Sequence, residues 1–184
     1  MADSTGQNEE TGVLHRLRSG DSDAFAWFIK KYAQQVFLCC RTVGLDANEA
    51  EDVASETFFA AYKGIGKYAG RSKLSTWLWK ITYNKAIGYI RQKSCRQKHL
   101  QRLQNEYTGP EFSQSPGQET EIVWDAVKKL PQDLAMAIVL YYRQDKSIKE
   151  IADIMKKRQN TIKVYLFRGR EKLRELLGDK IGGF

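Results

Sequence analysis

The 184 residues predict an all-α protein of two small helical domains joined by a flexible linker, and three observations carry that expectation. Apolar side chains recur at three- and four-residue spacing along most of the chain, whereas the strict alternation of a half-buried strand is nowhere found. Between about 104 and 120 the periodicity stops in "QNEYTGPEFSQSPGQET", which holds two of the three prolines and marks a linker. Beyond it, a short helix, a turn and a longer basic helix follow one another, the pattern of a helix-turn-helix.

The elements follow in order. Residues 1–11 lie in the polar stretch "MADSTGQNEETG" and are expected to be disordered. A short helix runs from Thr11 to Gly20. Asp21 or Ser22 then caps a helix whose Ala24, Phe28, Tyr32, Val36 and Cys39 or Cys40 share one face. A third helix, Asp46 to Lys63, carries five acids in its first three turns, where they suit the helix dipole. Its apolar face passes through Ala50, Val53, Ala54, Thr57, Phe58 and Ala61. Gly64, Gly66 and Gly70 break the chain into a loop.

The fourth helix contains "STWLWKITYNKAIGYIRQKSCR", and the 100° step places two apolar faces on it. Leu74, Trp77, Leu78 and Ile81 form one; Trp79, Tyr83, Ala86, Ile87 and Ile90 form the other. Between them Trp77, Lys80, Asn84 and Arg91 fall in line. An amide costs helix propensity, yet beside cations and an aromatic ring it is equipped to reach a base edge or a phosphate. After the linker, Glu121 to Leu130 is a helix stopped by Pro131, and Gln132 to Tyr142 is another. In the helix-turn-helix, Ala152 is the small residue at the crossing, and Ile148, Ile151, Met155, Ile162 and Leu166 pack the pair.

Charge narrows the function. The net charge of +8 favours a polyanionic partner, and its distribution says more than its sum. From Arg71 to Arg102 stand nine Lys or Arg and no acid; from Lys156 to Arg174 stand eight against the single Glu171. Two basic patches imply two contacts. Cys39, Cys40 and Cys95 form neither a disulfide framework nor a zinc pattern, and a reducing cytoplasm fits them. No apolar run of membrane length and no signal peptide is present, so no membrane contact of its own is expected. With two histidines and no catalytic triad, metal cluster or phosphate loop, the chain offers catalysis no machinery, and no cofactor is expected.

Four stretches, taken in order, resemble the extracytoplasmic-function (ECF) group of bacterial RNA polymerase sigma factors, in the sigma-70 family. They are "LRSGDSDAFAWFIKKY", "DANEAEDVASETFFAAYKGIGKY", "YAGRSKLSTWLWKITYNKAIGYIR" and "KKLPQDLAMAIVLYY" before the helix-turn-helix, spanning about residues 12 to 177. The resemblance implies a region 2 domain over 12–103 that binds core RNA polymerase and the minus-ten element, the linker at 104–120, and a region 4 domain over 121–184 that reads the minus-thirty-five element. It implies core-polymerase contacts at Glu49, Asp52, Glu56 and Phe59. Minus-ten DNA would meet Tyr68, Arg71, Lys73, Trp77, Lys80, Asn84, Lys85 and Arg91, with Tyr68 a stacking surface for a flipped base. Minus-thirty-five DNA would meet Arg158, Asn160, Thr161, Lys163, Val164, Arg168 and Arg170, while Phe167 packs into its domain. Promoter DNA and core RNA polymerase are the implied partners, together with an anti-sigma factor; the chain is expected to be monomeric without them.

The chain departs from the family pattern at Ser55, where Gln is usual, and at Lys156 and Lys157, which replace a glycine and an apolar residue in the recognition turn. Arg158 stands where a capping Ser is usual. Two other readings remain: a helix-turn-helix regulator binding duplex DNA without polymerase, and an RNA-binding protein using the Arg71 to Arg102 patch.

Overall fold

The structure is a computed structural model that describes residues 12–101 and 120–178. The expected disordered segment 1–11 and nearly all of the expected linker lie outside those residues. Every regular element within them is helical: α1 (12–18), α2 (Ser22–Thr42), α3 (Ala47–Gly64), a 3-10 turn (Ile65–Lys67), α4 (Leu74–Gln101), α5 (Thr120–Lys128), α6 (Gln132–Ile138), α7 (Ile148–Met155) and α8 (Gln159–Leu177).

The helix starts are chemically specified. Asp21 caps α2 by accepting from the backbone N–H groups of Asp23 and Ala24. Asp46 and Glu49 form a capping box on α3, each carboxylate accepting from the other's backbone N–H, and on α7 the Ser147 hydroxyl and the Glu150 carboxylate accept from each other's backbone N–H in the same way. Arg158, at the N-cap of α8, makes no side-chain cap bond, which leaves that helix end open to an external acceptor.

The expected faces of the first half are mostly buried, with Ala54, Trp77, Ile81 and Ile90 only partly so. Ala24, Phe28, Tyr32, Val36, Cys39 and Cys40 of α2 meet Ala50, Val53, Thr57, Phe58 and Ala61 of α3, and Leu74, Leu78, Trp79, Tyr83, Ala86 and Ile87 of α4 close the core. In the second half, Ile151, Met155, Ile162 and Leu166 pack the helix-turn-helix against α6. Gly169 is needed there: a Cβ at that position would lie 3.0 Å from Cγ1 of the buried Ile138. After Ile138 the helix widens into a π turn, Val139–Arg143, that presents Tyr141 and Tyr142 outward.

The halves form one continuous core. α4 packs along α7, and α2 along α5 and α6. Polar bonds stitch this seam. The Thr76 hydroxyl donates to Glu150 Oε1 at 2.8 Å, Lys146 Nζ to Ser75 Oγ at 2.9 Å, and the Tyr83 hydroxyl to Asp133 Oδ1 at 3.3 Å. The Tyr165 hydroxyl of α8 donates to the other oxygen of Asp133 at 3.1 Å, so one carboxylate ties α4 to the recognition helix. Cys39 Sγ and Met136 Sδ lie 3.5 Å apart within the same seam.

Candidate nucleic-acid and protein interfaces

On α4 the strip emerges where the 100° step puts it. Trp77 and Lys80 are half-buried, and Asn84 and Arg91 are exposed. Trp79, one residue from Trp77, is buried to 1% exposure and anchors the helix, so the two tryptophans divide structure and surface between them. The loop before α4 presents Arg71 and Lys73 to solvent beside the strip. Together these side chains make a positive, partly aromatic surface suited to a phosphate backbone and unstacked bases.

Tyr68 does not belong to that surface as a free platform. It is 7% exposed, its hydroxyl donates to the Ser72 carbonyl, and its own carbonyl accepts from Arg18. Its ring instead lies 5.1 Å from that of Trp77 at 35°. Tyr68 therefore supports Trp77, and Trp77 is the aromatic face that solvent reaches.

Glu49 likewise parts from the acids expected to meet the polymerase. Its carboxylate completes the α3 capping box, lies 2.5 Å from Lys93 Nζ and accepts from the Tyr89 hydroxyl. That contact helps raise the Lys93 ammonium above its ordinary pKa: the hydrogen bond to Glu49 outweighs burial. Asp52, Glu56 and Phe59 are exposed, Phe59 to 59%. Glu56 and Lys85, expected on different partners, sit 2.9 Å apart on the surface. Such an exposed pair is worth about 0–1 kcal/mol, so either partner can be recruited elsewhere at small cost.

Beside Phe59 runs an open apolar groove of about 850 Å³ between α2 and α3, floored by Phe25, Ile29, Ala33, Phe37, Ala54 and Phe58 and flanked by Tyr62. Sequence reasoning missed it, although the signal was present: Phe25, Ile29, Ala33 and Phe37 form a second stripe at four-residue spacing, next to the one that enters the core. The first stripe enters the core; the second is only partly buried and floors the groove.

The recognition helix α8 shows Asn160, Lys163, Val164, Arg168 and Arg170 to solvent, with Thr161 half-buried and Arg158 exposed at the N-cap. A cleft of about 460 Å³ opens between α7 and the start of α8, lined by Lys149, Asp153, Lys157, Arg158 and Asn160. Phe167, expected to pack inward, is 56% exposed. It follows Val164 by three residues, and the 300° advance aligns it with the solvent face rather than with Leu166. Lys156, the C-cap of α7, adopts the left-handed conformation with φ 53° and ψ 44°.

Comparison with known proteins agrees with this layout. The family model "Sigma-70 region 2" matches residues 28–95, and "Sigma-70, region 4" matches 120–173. The ECF RNA polymerase sigma factor SigW of Bacillus subtilis is 33% identical over 183 residues, covering 90% of this chain and 95% of that protein. The ECF RNA polymerase sigma-E factor of Haemophilus influenzae is 30% identical over 178 residues, covering 90% and 93%. Among solved structures, the sigma factor RpoE of Bartonella quintana, in complex with the anti-sigma factor NepR, matches with a TM-score of 0.70. It has 21% identity and covers 85% of this chain and 98% of that one. CnrH in complex with the cytosolic domain of CnrY matches with a TM-score of 0.67 at 20% identity, covering 91% and 96%. Two family models in the expected order, each over a helical half with its own exposed basic face, place this chain in the ECF group of the sigma-70 family of RNA polymerase sigma factors.

Proposed function

We propose that this chain acts as an alternative sigma factor: it binds core RNA polymerase, directs it to promoters and takes part in opening the DNA. The carrying observation is the presence, on one chain, of the two sigma regions with two separate basic faces and a third, apolar and acidic face. In this reading residues 12–103 form the polymerase-binding and minus-ten domain, and 121–184 the minus-thirty-five domain.

Asp52, Glu56 and Phe59 with the adjacent groove dock on core polymerase, the apolar floor supplying contact area and the acids orientation. Arg71, Lys73, Trp77, Lys80, Asn84, Lys85 and Arg91 hold the unwound non-template strand, cations on phosphates and Trp77 and Asn84 on bases. Asn160 and Lys163 stand in the first turn of α8, where such helices meet base edges, while Arg168 and Arg170 lie farther along, by the backbone. No reaction is assigned to the chain; chemistry belongs to the polymerase. No helix of the described residues is long and apolar enough to cross a membrane, and a cytoplasmic place beside the polymerase fits that. An anti-sigma factor is the natural regulator in this reading, since both similar solved structures are complexes with such a partner or with a cytosolic domain of another protein.

The test is transcription from genomic fragments by core polymerase with and without the chain. New, defined start sites only in its presence support the reading. Site-specific duplex binding without polymerase, and no new starts with it, would instead favour a helix-turn-helix regulator.

A further inference from the structure

The loop that leads into α4 is anchored from a helix far away in the chain. Of residues 66–73, only Tyr68 is buried, and it holds the loop in three directions. Its ring lies 5.1 Å from that of Trp77, its hydroxyl donates to the Ser72 carbonyl and closes the loop on itself, and its carbonyl accepts from the guanidinium of Arg18, 50 residues earlier on α1. Trp77 is confined at Gly64 as well, where a Cβ would lie 3.3 Å from its Cζ2.

We propose that Arg18 is a positioning residue for promoter opening: by holding the Tyr68 carbonyl it presets the loop and, through the Tyr68 ring, the Trp77 indole in the arrangement that captures the unwound non-template strand. This deepens the sigma-factor reading and rests on it. Arg71 and Lys73 are exposed side chains of this loop, so their placement follows that of the loop backbone. That backbone has little stiffness of its own, since Gly70 sits in it at φ 72°. Arg18, in contrast, starts from a fixed point, because its neighbour Leu17 is buried in the core at 3% exposure. A guanidinium-to-carbonyl bond is charge-assisted and stronger than a neutral one. It acts on the loop without acting on the seat of α4, which the buried Trp79 secures. Without Arg18 the loop must be ordered when the strand arrives, and that ordering weakens capture.

The test uses Arg18→Met, which keeps the aliphatic stem and removes the donors, and Arg18→Lys, which restores a donor. In the free chain, amide hydrogen exchange should be faster across 67–73 in Arg18→Met and unchanged in α2 and α3. In holoenzyme made with core polymerase, on a promoter found by the transcription test above, opening is read from permanganate reactivity of the minus-ten thymines. It should fall about tenfold in Arg18→Met, the lower end for loss of one charge-assisted hydrogen bond, and recover in part in Arg18→Lys. Co-purification with core polymerase, helical circular dichroism and the slope of log K against log salt should match the wild type. Unchanged exchange would overturn the proposal, as would faster exchange with undiminished opening. A slope flattened by about 0.9 would overturn it too, because Arg18 would then be a phosphate contact in its own right. If the wild-type chain directs no new starts, the sigma-factor reading fails and the role in opening falls with it, while exchange still reports whether Arg18 holds the loop.

Discussion

Lys156 shows how one residue can carry a strain that its family usually avoids. It ends α7 at φ 53° and ψ 44°, a region where a Cβ meets the neighbouring carbonyl and glycine is the residue of least cost. The departure from the family glycine was legible in the sequence; that the backbone keeps the left-handed turn regardless was not, because the turn is fixed by the packing of α7 on α8. Lys156→Gly should therefore stabilise the protein by about 0.5–1 kcal/mol, read as a rise of about 2–4 °C in melting temperature per kcal/mol. On the next helix, single residues divide by what they touch. Removing one phosphate contact lowers the slope of log K against log salt by about 0.9 and leaves sequence preference alone, whereas losing a base contact does the reverse. Arg168→Ala should flatten the salt dependence of promoter binding, and Lys163→Ala should change preference at one base of the upstream element. Binding titrations over a salt series on two promoters distinguish them; an identical effect of both would make α8 a non-specific anchor.

At the scale of the element, α3 was read from its sequence as a row of acids on an amphipathic helix, and the structure divides that row by depth. Glu49 looked like Asp52 and Glu56 in the text, but only it stands at the third helical position after an Asp, where a capping box consumes it. Tyr68 was misjudged for a related reason: an aromatic in a glycine-rich loop reads as exposed until Arg18 and Ser72 are seen to hold it. The groove between α2 and α3 is marked in the sequence only by the second stripe of α2, which lies next to the one that enters the core and has the same four-residue spacing. What remains exposed on α3 gives a direct test. Asp52→Lys with Glu56→Lys should abolish co-purification with core polymerase. Melting temperature should shift by no more than about 2–4 °C, because Glu56 pairs with Lys85 at the surface and Asp52 is exposed. Continued co-purification would move the docking surface away from α3.

Over the whole molecule, periodicity could place each helix and its buried face but not the seam between the halves. A contact such as Thr76 to Glu150 joins residues 74 positions apart, and nothing local in either segment announces it. Glu150 closes the α7 capping box and accepts from Thr76 as well, so one carboxylate serves both its own helix and the seam. Glu150 makes the seam sensitive to acid, with a sign that can be worked out. Burial pushes its carboxyl pKa up, but hydrogen bonds from the Ser147 backbone, the Thr76 hydroxyl and the Ser147 hydroxyl, with the charge of Lys146, outweigh burial and hold it below the ordinary 4.5. A depressed carboxylate contributes stability that is complete above its unfolded value and is lost as pH falls through its folded one. The contribution of Thr76 comes from across the seam, so it vanishes when the halves part, while those of Ser147 and Lys146 stay with α7. Acidification from pH 6 to below 4.5 should then expand the chain by scattering before its helical circular dichroism falls. In Glu150→Gln, which keeps an acceptor but cannot titrate, the early expansion should disappear while later unfolding persists. Asp46, held low chiefly by the Glu49 backbone N–H, lies at the start of α3, so its protonation belongs to that later loss of helix. Coincident loss of compactness and helicity in both proteins would mean that Glu150 stabilises α7 alone and plays no part in joining the halves.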